Sequence, residues 1–127
     1  MTQGEAFGGR FEPCPDSPNC VSSQADHADT EHYLAPLPFT APIQDVMAAV
    51  AEVLKATPRT KITTQTDRYV RAEARSRIFR FVDDIEVYID EAEGHIHFRS
   101  ASRVGYSDLG VNRKRLETFK EALRERL

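Results

Sequence analysis

The chain has 127 residues, 40% of them apolar and 29% charged, with a formal net charge of −3 at pH 7. A chain of this length can bury a working core without disulfides or metal as obligatory staples, so one domain over residues 1–127 is expected. The mild acidity gives no overall pull toward nucleic acid or anionic membrane, and no apolar run reaches the roughly 20 residues that cross a bilayer.

The first residues, MTQGEAFGGRFEP, have neither a basic start nor an apolar stretch, so they do not read as a signal peptide. A cytoplasmic location is the expectation, with export or membrane tethering as the alternative if a signal has been removed. Residues 1–32 show no helical or strand period and read as an irregular arm, leaving residues 33–127 as an α+β core. The arm contains CPDSPNCVSS and both cysteines of the chain. Pro18 and Asn19 suit the centre of a β-turn, so the segment from Cys14 to Cys20 can double back. Three readings follow. A disulfide between Cys14 and Cys20 would stabilise by about 2 kcal/mol in the chain-entropy view. Cys14, Cys20, His27 and His32 together offer two thiolates and two imidazoles, a tetrahedral zinc set at a spacing foreign to zinc fingers. Two small thiols packed under the arm are the third. A thioredoxin-type pair needs a two-residue spacer and a helix N-terminus, and this spacing supplies neither.

In TAPIQDVMAAVAEVLKATP, the residues Ile43, Val46, Met47, Val50, Val53 and Leu54 fall on one face of a helix. Thr40 is the expected N-cap, Pro42 fits the first turn, and Pro58 ends the helix. Strand-like alternation follows. In TKITTQTDRYVRAEARS a loop over residues 66–68 pairs Ile62 with Ala72 and Thr64 with Val70, and sets Lys61 opposite Glu73. In DDIEVYIDEAEGHIHFRSAS a turn over residues 91–94 pairs Ile89 with Ile96 and Val87 with Phe98. The same register sets Tyr88 opposite His97, Glu86 opposite Arg99 and Asp90 opposite His95 on the second face. The last segment, NRKRLETFKEALRERL, carries Leu116, Phe119, Leu123 and Leu127 at helical spacing, with Asn112 as its expected N-cap. The order predicts an α+β two-layer sandwich: a four-stranded antiparallel sheet with two helices on one face, preceded by the arm.

Two groups of residues point to chemistry. RSASRVGYSDLGVNRKR holds Arg99, Arg103, Arg113, Lys114 and Arg115 against the single acid Asp108. With Ser100, Ser102, Ser107 and Asn112 and a helix start close by, it has the donors that recognise phosphate or carboxylate. The competing reading is internal: the register brings Asp83 and Asp84 near residues 101 and 102, so Arg103 or a neighbour can pair with them. The segment is neither a phosphate loop nor a nucleophile elbow. The second group is His95 and His97, which share a strand face with Glu86 and Tyr88. Metal binding or acid–base work is one reading, and an ordinary polar sheet face is the other.

CPDSPNCVSS, FRFVDDIEVYID and RSASRVGYSDLGVNRKRLE resemble the signature segments of a bacterial and plant family known as domain of unknown function 1499. The matching positions run from Cys14, Pro15, Ser17, Pro18, Asn19 and Cys20, through Phe81, Asp83 and Asp84, to Arg99, Ser100, Ser102, Arg103, Gly105, Ser107, Asp108, Asn112 and Arg115. The resemblance covers nearly the whole chain from Cys14 onward. It implies one compact domain, no assignable activity and no catalytic residues; some members look exported or tethered. The functional expectation is therefore a small module that binds a phosphate- or carboxylate-bearing ligand. Its candidate ligand residues are Arg99, Ser100, Ser102, Arg103, Ser107, Asp108, Asn112 and Arg115. An enzyme built on the polar sheet face and a structural or protein-interaction domain are the alternatives. No cofactor, nucleic acid or membrane span is expected, and partners are limited to a small anion or another protein.

Overall fold

The structure, a computed structural model, describes residues 7–77, 81–105 and 110–127. Two helices, α1 (Ile43–Ala56) and α2 (Val111–Arg126), accompany six strands among the described residues. The strands are β1 (Cys20–Ser22), β2 (Leu37–Pro38), β3 (Thr60–Gln65), β4 (Tyr69–Arg75), β5 (Val82–Asp90) and β6 (His95–Ser102). They form one antiparallel sheet in the order β1-β6-β5-β4-β3, with β2 also pairing with β6. The α+β class is as expected, but the sheet has six strands where four were expected. The two extra strands are three and two residues long. Segments this short hold no readable alternation, and they form because the outer edge of β6 would otherwise leave its backbone groups unpaired. The arm is accordingly not irregular throughout, since it supplies β1.

The β5–β6 hairpin has the expected register throughout, from Asp90 opposite His95 to Asp83 opposite Ser102. A one-residue slip would have turned Val87, Ile89, Ile96 and Phe98 away from the core, and all four are fully buried. The β3–β4 hairpin keeps Ile62 opposite Ala72 and Lys61 opposite Glu73, then shifts, so that Thr64 faces Arg71 and Gln65 faces Val70. The expected pairing of Thr64 with Val70 is displaced by one. Thr66 causes the local tightening: its hydroxyl accepts from the Tyr69 amide at 3.1 Å, and its amide donates to the Tyr69 carbonyl at 2.8 Å.

One sheet face, carrying Val70, Ala72, Ile85, Val87, Ile89, Ile96 and Phe98, packs against Val46, Val50 and Leu54 of α1 and Leu116, Phe119 and Leu123 of α2. The expected apolar stripes are therefore core, except that Ile43 is only partly buried and Leu127, at the end of α2, is exposed. The expected caps are not formed. Pro42 stands at the N-cap of α1, because a residue before proline is driven out of the α region and the helix cannot begin at Ala41. Thr40 thus lies outside it. At the far end Thr57, also before a proline, turns extended. In α2 the N-cap is Gly110, held at φ 81°, where glycine carries no steric penalty. Asn112 becomes the second helical residue, and its side chain is buried instead of capping.

Candidate functional site

Alternation along β6 divides the Arg/Ser segment between the two faces of the sheet. Ser100 and Ser102 point to the helices, whereas Arg99 and Arg103 point to the opposite face. On the helix side Asn112 joins the fold's ends. Its Oδ1 accepts from Ser100 Oγ at 2.5 Å and from Arg115 Nη1 at 2.9 Å. Its Nδ2 donates to Ser102 Oγ at 2.9 Å and to the Asn19 carbonyl at 3.2 Å. Arg115 Nη1 also reaches Asp83 at 2.8 Å. Ser100 and Asn112 have no exposed surface, so these bonds meet the demand of buried polar groups for partners.

On the other face a chain of ion pairs crosses three strands. Arg103 grips Asp84 through Nε and Nη2, both at 2.9 Å, and donates to Glu73 at 2.7 Å. Arg71 lies 3.2 Å from Asp84 and 3.8 Å from Glu86, and Arg99 lies 3.7 Å from Glu86. Burial acts to raise the Asp84 carboxyl, but the Arg103 bonds and the Arg71 charge outweigh it and hold it below its ordinary value. Tyr69 donates to Glu86 at 2.6 Å, and burial followed by that bond pushes its phenol well above its ordinary range. Arg99 and Arg103 are thus engaged with internal carboxylates. Ser107 and Asp108 lie outside the described residues.

The arm folds over this second face. Phe7 stacks on Tyr69 with ring centroids 4.4 Å apart and lies 5.0 Å from Tyr88. Cys14 and Cys20 form a disulfide with Cα atoms 5.6 Å apart. The four-ligand zinc set is therefore not assembled: both sulfurs are in the bridge, His27 packs on Tyr33, and His32 has other partners. His32 Nδ1 is 2.7 Å from Asp29 Oδ2 and its Nε2 is 2.8 Å from the Ser17 carbonyl. His97 sits with Ser23 and Glu93, not with Glu86, whose partners are Tyr69, Arg71 and Arg99. Glu93 escaped the sequence reading because it lies in a turn. The signal was its spacing, E-x-H-x-H, which returns the carboxylate to the histidine face.

Between α1 and α2 lies a cavity of about 490 Å³. Val53, Leu54, Ile85, Leu116, Phe119 and Ala122 give it an apolar wall, and its charged lining residues are Lys114, Arg115 and Arg126. All three are cations. Within the Arg/Ser segment, Arg113 donates to the Thr30 and Glu31 carbonyls, Arg99 and Arg103 meet carboxylates, and Arg115 meets Asp83. Lys114 has no side-chain partner among the described residues. The first turn of α2 contains no acidic residue, although the positive end of the helix dipole favours one there.

No helix of the described residues is long and apolar enough to cross a membrane. No curated protein matches the chain. A family model described as protein of unknown function, DUF1499, matches residues 10–123, and with that span of the chain covered, the protein belongs to this family.

Proposed function

We propose that the protein is a binding module for a small amphiphilic anion, held between α1 and α2 with its apolar body against the sheet and its carboxylate or phosphate at Lys114 and Arg115. The observation that carries this reading is the lining of the cavity: an apolar wall whose charged lining residues, among those described, are three cations, two of them paired outside it with Asp83 and Glu52 and Lys114 without a side-chain partner. Its volume, about 490 Å³, falls within the range of small-molecule sites. Three consecutive cations, Arg113, Lys114 and Arg115, occupy the end of a helix where the backbone dipole is already positive. Cations beside free backbone N–H groups at a helix start favour an anion there.

The candidate anion residues of the sequence reading divide accordingly. Arg115 lines the cavity; Ser100, Ser102 and Asn112 support it from beneath; Arg99 and Arg103 hold the opposite face together. Dodecanoate is a suitable probe, with dodecanol and acetate as its two halves. Dodecanoate is expected to bind, acetate not to bind, and dodecanol to bind at least about tenfold more weakly, the worth of one charge-assisted contact. Lys114→Ala should weaken dodecanoate by a similar factor and leave dodecanol unchanged. Equal affinity for dodecanoate and dodecanol would refute the anionic half of the reading.

A further inference from the structure

On the sheet face away from the cavity, the turn after β5 and the start of β6 bring together Glu93, His95 and His97. One ligand atom from each lies within 4.8 Å of the other two. Glu93 Oε1 stands 3.3 Å from His97 Nε2 and 3.6 Å from His95 Nδ1. The two imidazoles are nearly perpendicular, at 87°, with centroids 6.1 Å apart. Strand alternation places both rings on one face, and the turn carries the carboxylate back over them.

His97 is also held from behind. Its side chain is 12% exposed, and its Nδ1 lies 2.8 Å from Ser23 Oγ. That hydroxyl already accepts the Phe98 amide at 2.9 Å. A serine oxygen has two lone pairs, so it can accept from Nδ1–H as well. Ser23 can therefore hold the proton on Nδ1 when Nε2 takes a metal, the outer-shell arrangement that prepares histidine as a ligand.

We propose that Glu93, His95 and His97 form a divalent metal site of the zinc class, with three protein ligands and one coordination position open to water or a ligand oxygen. Two imidazoles and one carboxylate suit zinc and its transition-metal neighbours; magnesium and calcium prefer all-oxygen sites. In the metal-free protein the same groups bond to one another, Nε2–H donating to Glu93 while Nδ1 accepts from Ser23. Metal binding therefore moves the His97 proton from Nε2 to Nδ1 and releases no buried charge. The site is separate from the interhelical cavity and stands or falls independently of it.

The test is calorimetric titration of the full chain, stripped with chelator, with zinc sulfate and with magnesium chloride, followed by nitrogen-15 spectra of the imidazoles. One zinc per chain and no magnesium uptake are expected, with His97 protonated on Nδ1 in the zinc form. His95→Gln, His97→Gln and Glu93→Gln should each weaken zinc by more than about tenfold. Glu93 is in an exposed turn, so its substitution leaves the fold intact. Absence of zinc binding at millimolar ion overturns the proposal. So does uptake that survives Glu93→Gln and His97→Gln but is lost in His27→Asn.

Discussion

His32 is a buried imidazole whose two nitrogens face two acceptors, the Asp29 carboxylate and the Ser17 carbonyl. A neutral ring donates through one nitrogen only, so the protonated ring alone satisfies both contacts. Burial opposes the charge, but the Ser17 and Asp29 bonds overcome it and raise the His32 pKa above its ordinary value. The stability this provides is complete below the unfolded value of about 6.5 and is lost as pH rises through the higher folded value. The denaturation midpoint should therefore fall as pH is raised from about 6 to about 9, and His32→Gln should flatten that fall. Identical slopes in the two proteins would contradict the role given to His32. The sequence revealed this histidine only as a weak metal candidate. Its real partners, a side chain three residues away and a carbonyl fifteen away, depend on how the arm folds back.

At the scale of elements, what was legible follows from periodicity. The α1 stripe and the β5–β6 register were readable because apolar residues alternate unambiguously there, and a slip would have exposed them. The sequence reading grouped Arg99, Ser100, Ser102 and Arg103 as one ligand set, although residues 99 and 103 share a parity that residues 100 and 102 do not and so fall on the other face. The place of Asn112 was not legible, because an asparagine before an amphipathic helix reads as a cap, and only Gly110 at φ 81° moves the start upstream. Strands β1 and β2 are too short to carry a pattern. Strand β1 depends on the loop before it: the bridge from Cys14 to Cys20 closes just where Asn19 accepts the Ser102 amide at 3.0 Å. Replacing both cysteines by serine should cost about 2 kcal/mol in a denaturant titration. It should also speed hydrogen exchange at Ser102. Unchanged stability and exchange would show that β1 docks without the clasp.

Over the whole molecule, the sheet separates two environments. One face carries a ladder of arginines and carboxylates covered in part by the arm, where each charge on the ladder finds its counterpart in the fold. The other face carries the core, and beside it the cavity, whose charged lining residues among those described are cations. Internal pairing thus accounts for the arginines of β6 and for Arg113 and Arg115 of α2, whereas Lys114 has no side-chain partner among the described residues. The sequence showed the excess of cations but not this distribution, which depends on the packing of two helices distant in the chain. The most direct measurement is a methyl and amide NMR titration of the wild-type protein with dodecanoate. Saturable shifts are expected at the methyls of Leu54, Ile85 and Leu116 and at the amides of Lys114, Arg115 and Phe119, and nowhere else. No shifts, or shifts confined to the Arg103 face, would contradict the cavity site.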